Sequence, residues 1–226
     1  MNSARKIKNN LLRRVNTLRV KNKQKIFCVG RNKTGTTSLK RAFKELGYIV
    51  GQQRVAEELF DRHYFENDFK PIVKYCRTAE VFQDAPFSHF NTLRHIDEAY
   101  PDSKFILTVR DDEEQWYRSI TKFHSKLFGK NGQLPTFWDL QSAEYVKPGF
   151  MLNVLKAHGT SADDPYNKAI MCEHYRRHND SVLNYFNQRP HQLLVINVGQ
   201  QNSYSKFLNF IGKTSSRTEF PWENKT

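Results

Sequence analysis

Apolar residues in this chain form short continuous runs that alternate with stretches of helical period. The run KIFCVG at 25–30 predicts a strand, and the apolar spacing over 36–46 predicts a helix directly after it. A second unit follows, with a strand within 79–86, a helix over 88–100 and a strand over 104–109. The Val, Ile, Leu and Phe content of these runs indicates strands that are covered on both faces.

The second half of the chain continues this alternation. Residues 112–128 predict a helix that begins at a cluster of acidic residues, and 129–164 read as a lid or substrate-facing insertion with short helices. A long helix over 166–188, a strand over 192–197 and a short helix over 202–211 complete the pattern. The apolar stripe of the 112–128 helix consists of Trp116, Ile120, Phe123 and Leu127. This alternation predicts an α/β fold with three layers (α/β/α) around a central parallel sheet.

Composition and charge divide the chain into two parts. The 226 residues suit one domain, and no apolar run is long enough to cross a bilayer. The net charge is +13, and residues 1–25 contain nine Lys or Arg and no acid. We therefore predict a basic amino-terminal extension at 1–24 and an α/β domain at 25–226. The extension is interpreted either as a solvated, partly helical arm or as a segment that contacts anionic lipid, nucleic acid or glycan.

Cysteine and histidine usage bears on the compartment and on metal binding. The three cysteines, Cys28, Cys76 and Cys172, are widely spaced and form no CxxC motif, which suits reduced thiols in a cytoplasmic protein. The apolar residues of the extension are interleaved with Arg and Asn, so they do not form a secretory signal. His174 and His178 have helical spacing but no carboxylate partner, so we expect no zinc site there.

The segment VGRNKTGTTSL, which begins at residue 29, joins the first strand to the first helix of the predicted domain. Gly30 and Gly35 have the spacing of a phosphate-binding loop, but Thr36 stands where that motif has its lysine, and Lys33 precedes it. A glycine-rich turn at a helix amino terminus presents backbone N–H groups to an anion; the alternative is a tight structural turn. The candidate anion-binding residues are Arg31, Asn32, Lys33, Thr34, Gly35, Thr36, Thr37 and Ser38.

The run Lys33-Thr34-Gly35-Thr36-Thr37 resembles the 5′-phosphosulfate loop of sulfotransferases that use 3′-phosphoadenosine 5′-phosphosulfate (PAPS), a bacterial-type sulfotransferase domain within the P-loop superfamily. The segment ILTVRDDEEQWYRSI also resembles that family, in which an Arg and a Ser bind the 3′-phosphate. The resemblance implies this role for Arg110 and Ser119, although their spacing of nine residues exceeds the usual eight by one. It extends over about 25–226, including LLVINV and the closing FPWENKT.

The resemblance also implies roles in catalysis. Lys33 would stabilise charge on the departing 5′-phosphate, and Asp84 occupies the position of the general base, although its other interpretation is a turn cap before Pro86. His89 is the rival base, and Glu57 or Glu58 matches the position of the glutamate of glycan-modifying relatives. Two late basic residues are candidates for the 3′-phosphate, Lys213 and Arg217.

The expected activity is sulfuryl transfer from PAPS to a hydroxyl acceptor, a carbohydrate or a small metabolite. The expected product is adenosine 3′,5′-bisphosphate, and no metal is expected to take part. One alternative is a Mg²⁺-dependent P-loop kinase, which would need a lysine at the position of Thr36. The other is a noncatalytic basic protein that binds nucleic acid through the extension, whereas the enzyme is expected to have no specific nucleic-acid partner.

Overall fold

The computed structural model describes residues 3–221, with side chains from residue 11 onward. Residues 222–226, the end of the predicted domain and of the FPWENKT segment, lie outside the described residues, as do residues 1–2.

The centre of the fold is a four-stranded parallel sheet in the order β2-β1-β3-β4. In the register, Phe27 lies beside Phe105 on one pair of strands, and Ile106 lies beside Leu194 on the next. The strands are β1 (Ile26–Cys28), β2 (Val81–Phe82), β3 (Lys104–Thr108) and β4 (Leu193–Ile196). This arrangement confirms the predicted central parallel sheet. Parallel strands need crossover connections, and helices lie between each pair of consecutive strands in the chain.

The alternation of side chains along each strand divides the core between the two faces of the sheet. Phe27 of β1 and Phe105 of β3 contribute to one buried cluster. Ile26 and Cys28 of β1 and Ile106 of β3 contribute to the other. Both faces of the central strands are therefore buried, as their apolar composition predicts. The edge strand β4 is less covered, because the side chain of its third residue, Val195, is 41% exposed.

Helices cover both faces and produce the predicted three layers. On one face lie α2 (Thr36–Glu45) and α10 (Ser203–Ile211). The opposite face is covered by α4 (Lys70–Tyr75), α5 (Phe90–Ala99) and α9 (Lys168–Tyr185). The amphipathic spacing of α2 explains its orientation, since Leu39, Ala42 and Phe43 all point into the core.

A third apolar cluster lies beside the sheet. It joins α6 (Glu113–Phe128), α8 (Phe150–His158) and α9, and it includes Leu140 of α7 (Phe137–Ser142). The predicted irregular insertion thus contains two short helices. Leu127 is predicted to lie on the buried apolar stripe of α6, but its side chain is 48% exposed.

The region between α2 and β2 is more helical than the sequence pattern indicates. α3 (Gln53–Leu59) continues into a π-helical turn at Phe60–Tyr64, and α4 ends in a 3₁₀ turn at Cys76–Thr78. A second 3₁₀ turn, Pro190–Gln192, leads into β4. These elements are too short to show a helical period, because the period becomes clear only over about 11–18 residues.

The amino-terminal extension forms a helix, α1 (Ser3–Arg19). It leads into the domain through Val20, which is fully buried, and Lys25, whose ammonium group donates to the carbonyl of Ala79 at 2.7 Å. Several apolar side chains of this helix are exposed: Leu11, Leu12, Val15 and Leu18. None of the helices found within residues 3–221 has the length and apolar character needed to span a membrane.

Candidate active site

The loop between β1 and α2 passes close to the neighbouring strands, and its two glycines permit this. A Cβ atom on Gly30 would overlap the hydroxyl and carbonyl groups of Thr108 on β3. Gly35 has φ +99°, and a Cβ atom there would overlap the side chain of Val198, which follows β4. Glycine is therefore needed at both positions, because a side chain would prevent the close approach of the loop to its neighbours. At Gly35 it is also needed because the backbone is left-handed.

The amino terminus of α2 is open to a pocket of about 160 Å³. Gly35 is the N-cap residue, and as a glycine it has no side chain with which to cap the helix. The first backbone N–H groups of a helix have no carbonyl partner within the helix, and the helix dipole places positive potential there. The hydroxyl-bearing residues of this first turn line the pocket: Thr36, Thr37 and Ser38.

Two cationic side chains line the same pocket, Lys33 and Arg110. Lys33 has φ +69°, and its ammonium nitrogen lies 4.0 Å from the centre of the Phe123 ring. The Arg110 Nε donates to the Lys33 carbonyl at 2.7 Å, which ties the end of β3 to the loop. Partial burial lowers the pKa of Lys33, and the positive charge of Arg110 lowers it further. A bound anion would relieve this repulsion, so the two residues fit the phosphate groups of a nucleotide.

Hydrogen bonds behind the loop hold its shape. The indole N–H of Trp116 on α6 donates to the Asn32 carbonyl at 2.8 Å. The Thr34 hydroxyl donates to the Arg31 carbonyl at 2.5 Å and lies 2.6 Å from the Thr108 hydroxyl. Trp116 is fully buried, as the sequence analysis expects of a residue on the inward face of α6. Thr34 is also fully buried, so its side chain supports the loop and does not line the pocket.

A carboxylate completes the pocket. Asp84 follows β2 with φ +58°, just before the cis Ala85–Pro86 peptide bond, and its side chain is buried. Gln83 donates to its carboxylate at 2.9 Å. Burial raises the pKa of Asp84, while hydrogen bonds from Thr36 and Gln83 oppose that rise. A buried carboxylate with a raised pKa is a stronger proton acceptor than an exposed aspartate.

A second, more apolar pocket adjoins the first and shares four lining residues with it: Asn32, Asp84, Phe123 and Tyr145. Glu57 lines this second pocket and accepts hydrogen bonds from the Gln53 amide at 2.9 Å and the Tyr145 hydroxyl at 3.0 Å. Burial raises the pKa of Glu57. The rest of the lining is mainly apolar and includes Ile120, Phe128, Phe150, Met151 and Val154.

The structure brings eight of the predicted site residues to the first pocket, which they line together: Asn32, Lys33, Gly35, Thr36, Thr37, Ser38, Asp84 and Arg110. Ser119 does not line it, because it lies on the buried side of α6, where its hydroxyl has no hydrogen-bond partner among residues 3–221. His89 and Arg31 line a different pocket. The His89 ring stacks on Phe60 with ring centres 4.9 Å apart, and burial holds its pKa well below the usual value.

The two late basic residues lie at the other end of α2. Arg217 forms an ion pair with Glu45, the last residue of that helix, at 2.8 Å. Lys213 places its ammonium group 5.5 Å from the centre of the Tyr48 ring. Because a ten-residue helix is about 15 Å long, these contacts hold both side chains away from the pocket at the amino terminus of α2.

Three residues that line the pocket were not predicted from the sequence: Gln53, Phe123 and Tyr145. Gln53 begins α3, and Tyr145 lies in the insertion between α7 and α8. Neither carries a motif that would have identified it. Phe123 was assigned to the apolar stripe of α6, and its role under the Lys33 ammonium group depends on the fold alone.

Comparison with known proteins assigns the chain to a family. Within the described residues, no group of three or more His, Cys, Asp or Glu side chains is arranged to hold a metal ion. No curated protein sequence matches the chain. The family model described as "Sulfotransferase domain" matches residues 25–226, nearly the whole chain and all of the strands of the sheet. The chain therefore belongs to the sulfotransferase domain family.

Proposed function

We propose that the protein transfers a sulfuryl group from PAPS to a hydroxyl acceptor. The observation that carries this proposal is the meeting of Lys33, Arg110 and Asp84 in one pocket at the open amino terminus of α2. Two cations and a helix amino terminus suit the phosphate groups of the donor, and a buried carboxylate suits removal of a proton from the acceptor.

The donor would be held by the loop and by β3. The backbone N–H groups and hydroxyls of Thr36 and Thr37 would bind the 5′-phosphate, with Lys33 close to it. Arg110 would form paired hydrogen bonds with a second phosphate, since a guanidinium group matches phosphate oxygens in geometry. PAPS supplies an activated sulfuryl group, and the remaining steps depend on residues of this chain.

The proposed mechanism is an in-line displacement in which Asp84 and Lys33 act at opposite ends. Asp84 accepts the proton of the acceptor hydroxyl while the acceptor oxygen forms its bond to sulfur. The bond between sulfur and the bridging oxygen breaks, and Lys33 stabilises the negative charge that the 5′-phosphate gains. The raised pKa of Asp84 favours proton transfer, and its place in both pockets supports its role between donor and acceptor.

The hydroxyl end of the acceptor would enter the second pocket, which has a volume of about 60 Å³. Its aromatic and aliphatic lining supports a small hydroxyl compound with an apolar body over a glycan, whose many hydroxyls would need polar partners on burial. Glu57 is the second candidate for the base, because it is buried in the same pocket. The Gln53 and Tyr145 hydrogen bonds to Glu57 favour a positioning role for it and leave Asp84 as the proposed base.

Two further features bear on where the protein acts. The three cysteines are free and buried, which supports a reducing cytoplasmic location. The exposed Leu11, Val15 and Leu18 are spaced along one face of α1 next to basic residues, which supports contact between this helix and an anionic lipid surface. Sedimentation with phosphatidylserine vesicles tests this contact: Leu18→Gln in the full chain should weaken binding, and equal binding would contradict it.

Isothermal titration calorimetry with adenosine 3′,5′-bisphosphate tests the proposed donor site. The wild-type chain should bind this product without metal. Lys33→Ala should weaken binding about ten- to a hundredfold, because it removes a charged hydrogen bond of about 1.5–3 kcal/mol. Lys44→Ala is the matched control, since Lys44 is an exposed lysine at the other end of α2 and should leave the affinity unchanged.

The same titration with ATP and Mg²⁺ separates the proposal from the kinase alternative. Binding of ATP that requires Mg²⁺, without binding of the bisphosphate, would overturn the sulfotransferase proposal. A nucleic-acid-binding protein would bind neither nucleotide in a manner that depends on Lys33.

A further inference from the structure

A separate pocket of about 240 Å³ lies among the segment after β1, the start of α5, and the facing sides of α8 and α9. It shares no residue with the proposed donor pocket. Its polar lining includes Arg31, His89, Asn91, His174, Arg177 and Ser181. Every lining residue is part of the described chain, and none of them is an Asp or a Glu.

Arg31 is a buried cation without a carboxylate partner among the described residues. Its side chain is only 3% exposed. One terminal nitrogen, Nη1, donates to the Ser88 carbonyl at 2.6 Å and lies 3.3 Å from Nδ1 of His89. The Nε atom is buried and has no hydrogen-bond partner in the part of the chain that the structure describes. The remaining nitrogen, Nη2, has no hydrogen bond to any other described residue, and Arg31 is one of the residues that line the pocket.

A buried guanidinium group without an opposite charge is unfavourable, because it has lost its hydration. Burial lowers the pKa of Arg31 to about 10, with the Tyr64 hydroxyl opposing the shift, so the group stays protonated at neutral pH. The positive charge therefore persists in the folded protein. A ligand that brings negative charge to the pocket would remove this unfavourable term.

The rest of the pocket also favours an anion. His89 is the N-cap residue of α5, and its side chain does not cap the helix. Phe90 and Asn91, the first two residues of α5, line the pocket, so the uncapped amino terminus of the helix lies beside it. The buried Nε2 atom of His174 forms no hydrogen bond with any described residue. Arg177 is exposed at the pocket and forms no ion pair within the described residues.

We propose that this pocket is a second binding site, for a small oxyanion such as sulfate, phosphate or a carboxylate, held by Arg31, Arg177 and the amino terminus of α5. The three chemistries share oxygen atoms that accept hydrogen bonds from guanidinium and backbone N–H groups. The site is independent of the proposed donor pocket, and its occupation does not depend on the donor being PAPS.

Histidine NMR tests this proposal directly. The sample is the full chain with its histidines labelled with ¹⁵N. It carries the Lys33→Ala substitution, which should weaken anion binding at the donor pocket. Sodium sulfate, phosphate and acetate are each titrated at constant ionic strength against sodium chloride. At least one of them should shift the ring resonances of His89 and His174 in a saturable way, and sodium chloride should not.

Matched arginine variants then assign the site. Arg177→Gln should weaken the apparent affinity several-fold. Arg176→Gln should not, because the neighbouring Arg176 is exposed and paired with Glu113 and Glu173 outside the pocket. The proposal is overturned if none of the three anions shifts these resonances saturably, if chloride produces the same shifts, or if the two arginine variants weaken binding equally.

Discussion

Replacing Gly35 by alanine tests the geometry on which the donor pocket depends. The residue has φ +99°, a region that costs an L-amino acid about 1–2 kcal/mol. The new Cβ atom would also overlap the Val198 side chain, and forcing an extra carbon into a packed site costs about 1–3 kcal/mol. The two effects together predict a loss of about 2–5 kcal/mol in the free energy of unfolding.

Gly47→Ala is the matched control, because Gly47 has a similar φ of +83° and a Cβ atom there would meet nothing within 4 Å. It should cost only the backbone term of about 1–2 kcal/mol. Urea denaturation measures the stability of both variants. A double-mutant cycle with Val198→Ala tests the overlap itself: the double variant should be more stable than the sum of the two single losses predicts, by a coupling energy of about 1 kcal/mol or more. Equal losses for the two glycine variants, or additive effects of Gly35→Ala and Val198→Ala, would refute the reasoning.

Three other changes test the site. Trp116→Phe removes the N–H that donates to the Asn32 carbonyl and should cost about 1–3 kcal/mol in urea denaturation; unchanged stability would contradict the supporting role of this bond. The kcat/KM of the wild type should fall as the pH falls through the raised pKa of Asp84, because the base must be ionised. Asp84→Asn should remove this acid limb and lower the rate about 10²–10⁴-fold, and a limb that persists in the variant would identify another base. Lys213→Gln and Arg217→Gln should leave the affinity for adenosine 3′,5′-bisphosphate unchanged in calorimetry, and a large loss would show that their loop reaches the nucleotide.

Local patterns in the sequence were enough to predict the alternation of strands and helices and the loop between β1 and α2. Strand β3 and helices α6 and α10 lie within about two residues of their predicted bounds, because each combines a clear period with a recognisable end signal. The glycine-rich turn also depends on a local constraint, since only glycine readily adopts the backbone of residue 35. These features depend on interactions between residues close together along the chain.

Which residues line the site depended on contacts between distant parts of the chain. Arg31 and Lys33 are two residues apart in the loop, yet the fold directs Arg31 towards the start of α5 and Lys33 towards Phe123. His89, five residues after Asp84, turns into a different pocket because its ring stacks on Phe60. Sequence spacing cannot predict which of two nearby residues enters a given pocket, because the direction of a side chain depends on the packing of helices and strands that are remote in sequence.

The sequence by itself therefore determined the α/β class, the strand–loop–helix unit and the residue types available for anion chemistry, because short-range periodicity and backbone preference encode them. Only the tertiary structure decided which of those residues share a pocket. It brought Asp84 into one pocket with Lys33 and Arg110 and placed Lys213 and Arg217 at the other end of α2. It also buried Arg31 without a counter-ion among the described residues. Charge pairing and burial are properties of the folded chain, and they exist only once distant segments have packed together.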